Sequence, residues 1–134
     1  MSFFAKTLFI HAPIERVWAA LTQASALAAW MGGEMQSDPH PGGSYAFFDD
    51  QITGDYTLVE APYRLECTWR RSTWRADWAD SNVRWRLRRL PDGVDLQLVH
   101  DHFPNLEECQ KHAEDWSSRW LSLLKTWLEQ ETPG

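Results

Sequence analysis

Thiols are scarce in this sequence: Cys67 and Cys109 are the only cysteines in 134 residues. Two thiols cannot build a disulfide framework, so the chain must rely on its own core, and a reducing, cytoplasmic setting is expected. Long apolar runs are missing as well. A membrane-spanning helix needs roughly 18 to 20 consecutive apolar residues, and Lys6, His11, Pro13 and Glu15 interrupt the only apolar stretch near the N-terminus. Neither membrane insertion nor secretion is expected. Positive charge is in deficit, with 13 Lys and Arg against 19 Asp and Glu and a formal net charge of −6. Such a surface repels a phosphate backbone, which argues against general nucleic-acid binding. There is no phosphate-cradling glycine loop, no dinucleotide fingerprint and no nucleophile elbow, and Pro41-Gly42-Gly43 reads as a turn. No cofactor is expected.

What the chain does have is tryptophan, nine in all, against an otherwise ordinary composition of 43% hydrophobic and 24% charged residues. Each indole brings a large apolar surface and one N–H that needs a partner when buried. The length suits one domain, residues 1–134, with no room for two full cores.

The hydrophobic pattern changes period along the chain. Residues 2–11 are rich in strand formers, and Pro13 fixes φ for a first helical turn. Ile14, Val17, Trp18 and Leu21 recur at helical spacing. Ser25 is placed to cap a second short helix, Ala26 to Met31, which Gly32-Gly33 stops. From there the period is two, punctuated by turn residues at Pro39, Pro41-Gly42-Gly43, Asp49-Asp50, Pro62, Asp80-Ser81-Asn82 and Pro91-Asp92-Gly93, the pattern of an antiparallel meander. Leu65, Cys67 and Trp69 share one face, as do Val83, Trp85 and Leu87, and Leu96, Leu98 and His100, while arginines occupy much of the other. The Pro91-Asp92-Gly93 turn is expected to be type I followed by glycine. The last segment is a long helix: Asn105 with Glu108 makes a capping-box-like start, and Leu106, Cys109, Ala113, Trp116, Trp120, Leu124 and Trp127 form one apolar seam.

The pieces Ala12-Pro13-Ile14-Glu15-Arg16-Val17-Trp18, Trp30-Met31-Gly32, Pro41-Gly42-Gly43-Ser44-Tyr45, Gly54 with Pro62-Tyr63-Arg64-Leu65, Thr68-Trp69 and Trp116 to Leu124 occur in this order. In them the chain resembles the SRPBCC or START-like superfamily, in the branch named for the activator of the heat-shock-protein-90 ATPase. The resemblance implies an α+β helix-grip fold. A curved antiparallel sheet of about seven strands would wrap the long C-terminal helix, two short helices would follow the first strand, and a cavity would lie between sheet and helix. A cleft of that kind suits a small hydrophobic or amphipathic molecule. The expected wall is Trp30, Tyr45, Phe47, Tyr56, Cys67, Trp69, Trp85, Leu98, His100, Trp116 and Trp120, with Leu58 on the same concave face. Close packing of the tryptophans is the competing expectation.

Three other functions follow from particular residues. His100 is the one imidazole that the alternation places inside, and with Tyr45 or Tyr56 it would serve a cyclase-like or lyase-like enzyme. His100 and His102 project to one side of a strand, half of a metal site. The other half could come only from Cys109 or Glu108 with His112, if the helix start folded beside that strand, and no metal is expected. The branch name suggests a chaperone-interaction module. Trp74 and Trp78 lie in a polar loop outside both patterns and are expected to anchor a homodimer or to form a lid. Seven arginines between Arg70 and Arg89 read as a solvated face paired with acids on neighbouring strands.

Overall fold

A computed structural model describes residues 2–130. The strands are β1 (Phe3–Ile10), β2 (Met35–Ser37), β3 (Ser44–Phe47), β4 (Ile52–Glu60), β5 (Arg64–Arg71), β6 (Ser81–Leu90) and β7 (Gly93–Asp101). They form one seven-stranded antiparallel sheet in the order β1-β7-β6-β5-β4-β3-β2. Helices α1 (Ile14–Thr22) and α2 (Ala24–Met31) follow β1. The C-terminal helix is α3 (Leu106–Asp115), a π turn (Trp116–Trp120) and α4 (Leu121–Gln130) in succession. The architecture is the expected α+β helix grip.

The alternation in the sequence sets the layers. Leu65, Cys67, Trp69, Val83, Trp85, Leu87, Leu96, Leu98 and His100 are all buried on one side. Arg84 and Arg88 stand on the other and pair with Asp101 and Asp95 of β7, the second at 3.0 Å. Glu66 takes Arg64 of its own strand, at 3.6 Å. Arg84 therefore finds its acid on the opposite neighbour from the one its register suggests.

Four local expectations are corrected. Helix α2 begins at Ala24, and its N-cap is Gln23, whose extended backbone (φ −90°, ψ 129°) also closes α1; Ser25 lies inside the helix. The β6–β7 loop is shorter than a type I turn plus glycine, because Leu90 pairs directly with Gly93. Gly93 is there for space: a Cβ would sit 2.2 Å from the Ile10 carbonyl oxygen. In β4 the register slips between Tyr56 and Leu58, so Leu58 faces Glu66 and Val59 faces Leu65. That bulge turns Leu58 away from the concave face and packs Val59 against the core instead. Finally, the π turn adds a residue to the C-terminal helix: the Leu121 N–H reaches back to the Trp116 carbonyl. The seam runs through Cys109, His112, Trp116, Trp120, Leu121, Leu124 and Leu128, and Trp127 moves to its edge. Leu106 is 61% exposed, although Asn105 does cap the helix, accepting the Glu108 N–H at 2.9 Å.

Candidate ligand cavity

Between α2, the concave sheet and the C-terminal helix lies a cavity of about 30 Å³. Trp30, Tyr45, Phe47, Tyr56, Cys67, Trp69, Trp85 and Trp116 line it, joined by Leu21, Leu27, Met31, Leu65 and Val83. Leu98, His100 and Trp120 are buried nearby but do not reach its wall. The volume is room for about one water molecule, so in this conformation aromatic packing fills most of the space that sheet and helix enclose. The contribution of α2 is legible in hindsight as apolar Leu27, three residues before Trp30 and four before Met31 on one short helix.

The polar atoms on the wall are held in place. Tyr45 donates its hydroxyl to the Thr68 carbonyl and accepts a weak contact from Cys67 Sγ at 3.8 Å. Its ring crosses the facing strand at Gly54, where a Cβ would lie 2.6 Å from it, so only glycine fits there. Ser37 Oγ donates to the Thr22 carbonyl at 2.6 Å and therefore accepts from Tyr56 Oη at 2.7 Å. Burial pushes the Tyr56 hydroxyl up to about 12 and the Cys67 thiol up to about 12. Burial, and then Cys67, raises Tyr45 well above its ordinary value. All three stay protonated at neutral pH, and Cys67 is an inert apolar contact. Trp30 Nε1 donates to the Ala20 carbonyl at 2.8 Å and ties α2 to α1. Trp69 is the exception: its indole N–H is buried and has no partner among the described residues.

At the other end of the interior, His100 sits in a closed chain of hydrogen bonds. Ser81 Oγ donates to the Trp69 carbonyl at 2.8 Å, so it accepts from His100 Nε2 at 2.9 Å; His100 Nδ1 accepts from Trp116 Nε1 at 3.2 Å. Both ring nitrogens are used, and burial, followed by the neighbouring His112, lowers the His100 pKa well below its usual value. A neutral imidazole with no free nitrogen holds a proton in place and has none to pass on. His112 does fold beside it, with ring centroids 5.3 Å apart, and donates Nδ1–H to the Glu108 carbonyl at 2.8 Å. Yet His102 lies past the strand at φ 63° with its ring against Asp101. No group of three or more His, Cys, Asp or Glu among the described residues is arranged to hold a metal.

Of the loop tryptophans, expected to anchor a homodimer or to form a lid, Trp74 points inward and Trp78 is half-buried beside it. Trp74 is 6% exposed, and its Nε1 donates to Glu108 Oε1 at 2.8 Å. Its ring lies 5.8 Å from His112, and Trp78 packs beside it at 6.5 Å. Arg70 straps the loop from outside by donating to the Trp78 and Arg75 carbonyls. The loop is thus a fixed cover over the histidine end.

Comparison with known proteins agrees with this architecture. The family described as activator of Hsp90 ATPase homolog 1-like protein matches residues 11–129. An HSP90 activator from Plasmodium falciparum superposes with a TM-score of 0.86 at 20% identity, over 96% of each chain. The Aha1 dimer from Colwellia psychrerythraea gives 0.82 at 16% identity, over 96% of this chain and 97% of that one. An uncharacterised protein of Schizosaccharomyces pombe is 29% identical over 63 residues, 47% of this chain, and the match spans only 19% of that protein's length. The chain belongs to the activator of Hsp90 ATPase homolog 1-like family. No helix among the described residues is long and apolar enough to cross a membrane.

Proposed function

We propose that this family member binds a small amphipathic molecule without chemistry, its apolar body lying between α2, the sheet and the C-terminal helix. The carrying observation is Trp69: its N–H is buried without a partner among the described residues, on the wall of a cavity whose hydroxyl groups are satisfied. An unmet buried donor costs about 1 to 3 kcal/mol, and a ligand carbonyl, ether or hydroxyl oxygen would recover it. Helix α2 is the wall that moves. It is bracketed by the extended Gln23 and by Gly32 and Gly33 at φ 80° and 111°, and Leu27, Trp30 and Met31 close the cavity from its side. Enclosing a ligand of ordinary size requires a few hundred Å³, so binding enlarges the space. The engaged nitrogens of His100 and the satisfied hydroxyls of Tyr45 and Tyr56 favour binding over a cyclase-like or lyase-like reaction.

Native mass spectrometry of freshly purified protein, with titration of the neutral dye N-phenylnaphthylamine, tests this. A co-purifying small molecule or saturable dye binding is expected; an unliganded mass together with no dye binding would sink the reading. A second reading, activation of the Hsp90 ATPase, is supported by the family match over residues 11–129. A pull-down with the chaperone and a parallel ATPase assay separate the two. A homodimer, if it forms, would use a surface other than the buried Trp74.

A further inference from the structure

Three irregularities converge beside the cavity. Phe48, Asp49 and Asp50, in the turn between β3 and β4, all have left-handed backbones at φ 56°, 56° and 67°, a conformation uncommon outside glycine and costly for a bulky residue such as Phe48. The π turn stands opposite, its Trp120 ring 5.5 Å from Phe48, and such turns occur frequently at functional sites. Two guanidiniums on this side, Arg71 at the end of β5 and Arg119 on the π turn itself, are held by no carboxylate among the described residues. Arg71 Nε is buried and unpartnered, and the Arg71 charge opposes protonation of Lys111 and His112 nearby. Arg119 lies over the Trp120 ring at 4.5 Å.

These groups border a cleft of about 190 Å³, lined among others by Phe48, Gln51, Arg71, Asp115, Arg119 and Trp120. Two guanidiniums face one carboxylate there, Asp115, while Asp49 and Asp50 are exposed on the turn. The cleft and the cavity are neighbours through the chain. Phe47 lines the cavity and Phe48 the cleft; Trp116 lines the cavity, and Trp120, at the other end of the π turn, lines the cleft.

We propose that this cleft is the headgroup end of the cavity and takes an oxyanion, so that the ligand is an anionic amphiphile. The proposal rests on the ligand-binding reading above and adds the charge and the place of its head. Arg71 and Arg119 donate to the oxyanion, the strained turn holds Phe48 against Trp120 as one side of the cleft, and the apolar body passes between Phe47 and Trp116 toward Trp69. A carboxylate, a phosphate ester and a sulfonate share this chemistry, since each presents coplanar or clustered oxygens that a guanidinium can grip with more than one N–H.

The test uses two dyes with one fluorophore, anilinonaphthalene sulfonate and neutral N-phenylnaphthylamine. The sulfonate should bind the parent protein about tenfold more tightly. The Arg71→Gln, Arg119→Gln double variant should lose that advantage and keep its affinity for the neutral dye, which also shows that it is folded. Arg86→Gln, on the outer face of the sheet, should change neither dye. Decanoate and decyl phosphate, compared with decanol, should displace the sulfonate dye from the parent more effectively, and their ranking separates carboxylate from phosphate. If the neutral dye binds but the sulfonate has no advantage, or the double variant keeps it, the headgroup site is wrong and the cavity reading stands. If neither dye binds, the cavity reading fails and takes this proposal with it.

Discussion

The two ends of the interior solve the problem of burying polar groups differently. At the histidine end, Trp116, His100, Ser81 and the Trp69 carbonyl form a continuous chain, and Trp74 with Glu108 closes it from above. Among the described residues, His112 Nε2 is the one buried polar atom left there without a partner. At the α2 end, Leu21, Leu27, Met31, Phe47 and Leu65 meet around a small cavity and offer the Trp69 N–H no acceptor. Directional bonds at one end fix each ring to one position, whereas apolar contacts at the other can be exchanged for contacts with a ligand. A domain that must keep its shape while one wall opens would need both.

The comparison can be broken most sharply at Trp116, which packs against Trp69 and Trp85 at 5.5 and 5.4 Å and also serves His100. Trp116→Ala should cost about 4 to 5 kcal/mol by chemical denaturation, from the lost packing and the bared histidine acceptor. A cost near 1 kcal/mol would show that the histidine end is no more rigid than the other. Leu27→Ala, at the α2 end, should cost about 3 kcal/mol while strengthening N-phenylnaphthylamine binding, because it widens the cavity that Leu27 lines. Weaker dye binding would place the adaptable region elsewhere. Ser81→Ala leaves His100 Nε2–H unmet in the interior and should cost about 2 kcal/mol. The readout is the denaturation midpoint, and no change would remove the hydrogen-bond chain from the account.

The smallest effect, reckoned per pH unit and per ring, is that of pH. Burial lowers both His100 and His112 in the folded protein, so below about pH 6.5 the unfolded chain takes up protons that the folded one refuses. Stability contributed by the neutral rings is complete above that pH and is lost as pH falls through it, by about 1 kcal/mol per pH unit for each ring. Thermal melts at steps between pH 7.5 and 5, in the parent and in His112→Gln, should show a shallower slope in the variant. Equal slopes would mean that His112 carries none of the dependence.

The outcome for particular residues shows what could be read without a structure. His100 falls inside as expected because strand alternation is a property of the backbone, and Asn105 caps its helix because the acceptor and the Glu108 N–H are three residues apart. Eight of the eleven expected wall residues do line the cavity, the six on strands for the same reason. Leu58 and Trp127 depart from expectation because each lies beyond one inserted residue, the bulge in β4 and the π turn. Those insertions answer to packing against partners distant in sequence.

Trp74 was illegible for a related reason, since its partner Glu108 lies 34 residues away and a polar loop gives no periodic sign that one ring turns inward. The same holds for Arg71 and Arg119, 48 positions apart in the sequence yet on one cleft. By itself the sequence determined the order of elements and, outside the bulged part of β4, the face that each strand buries, because these follow from short-range periodicity; its spaced motifs carried the resemblance to the family. Only the tertiary structure decided how much of the enclosed space the tryptophans occupy, which polar atoms are satisfied and that Arg71 and Arg119 share one cleft. Volume and hydrogen-bond partnership depend on rotamers and on the contact of segments far apart in the chain.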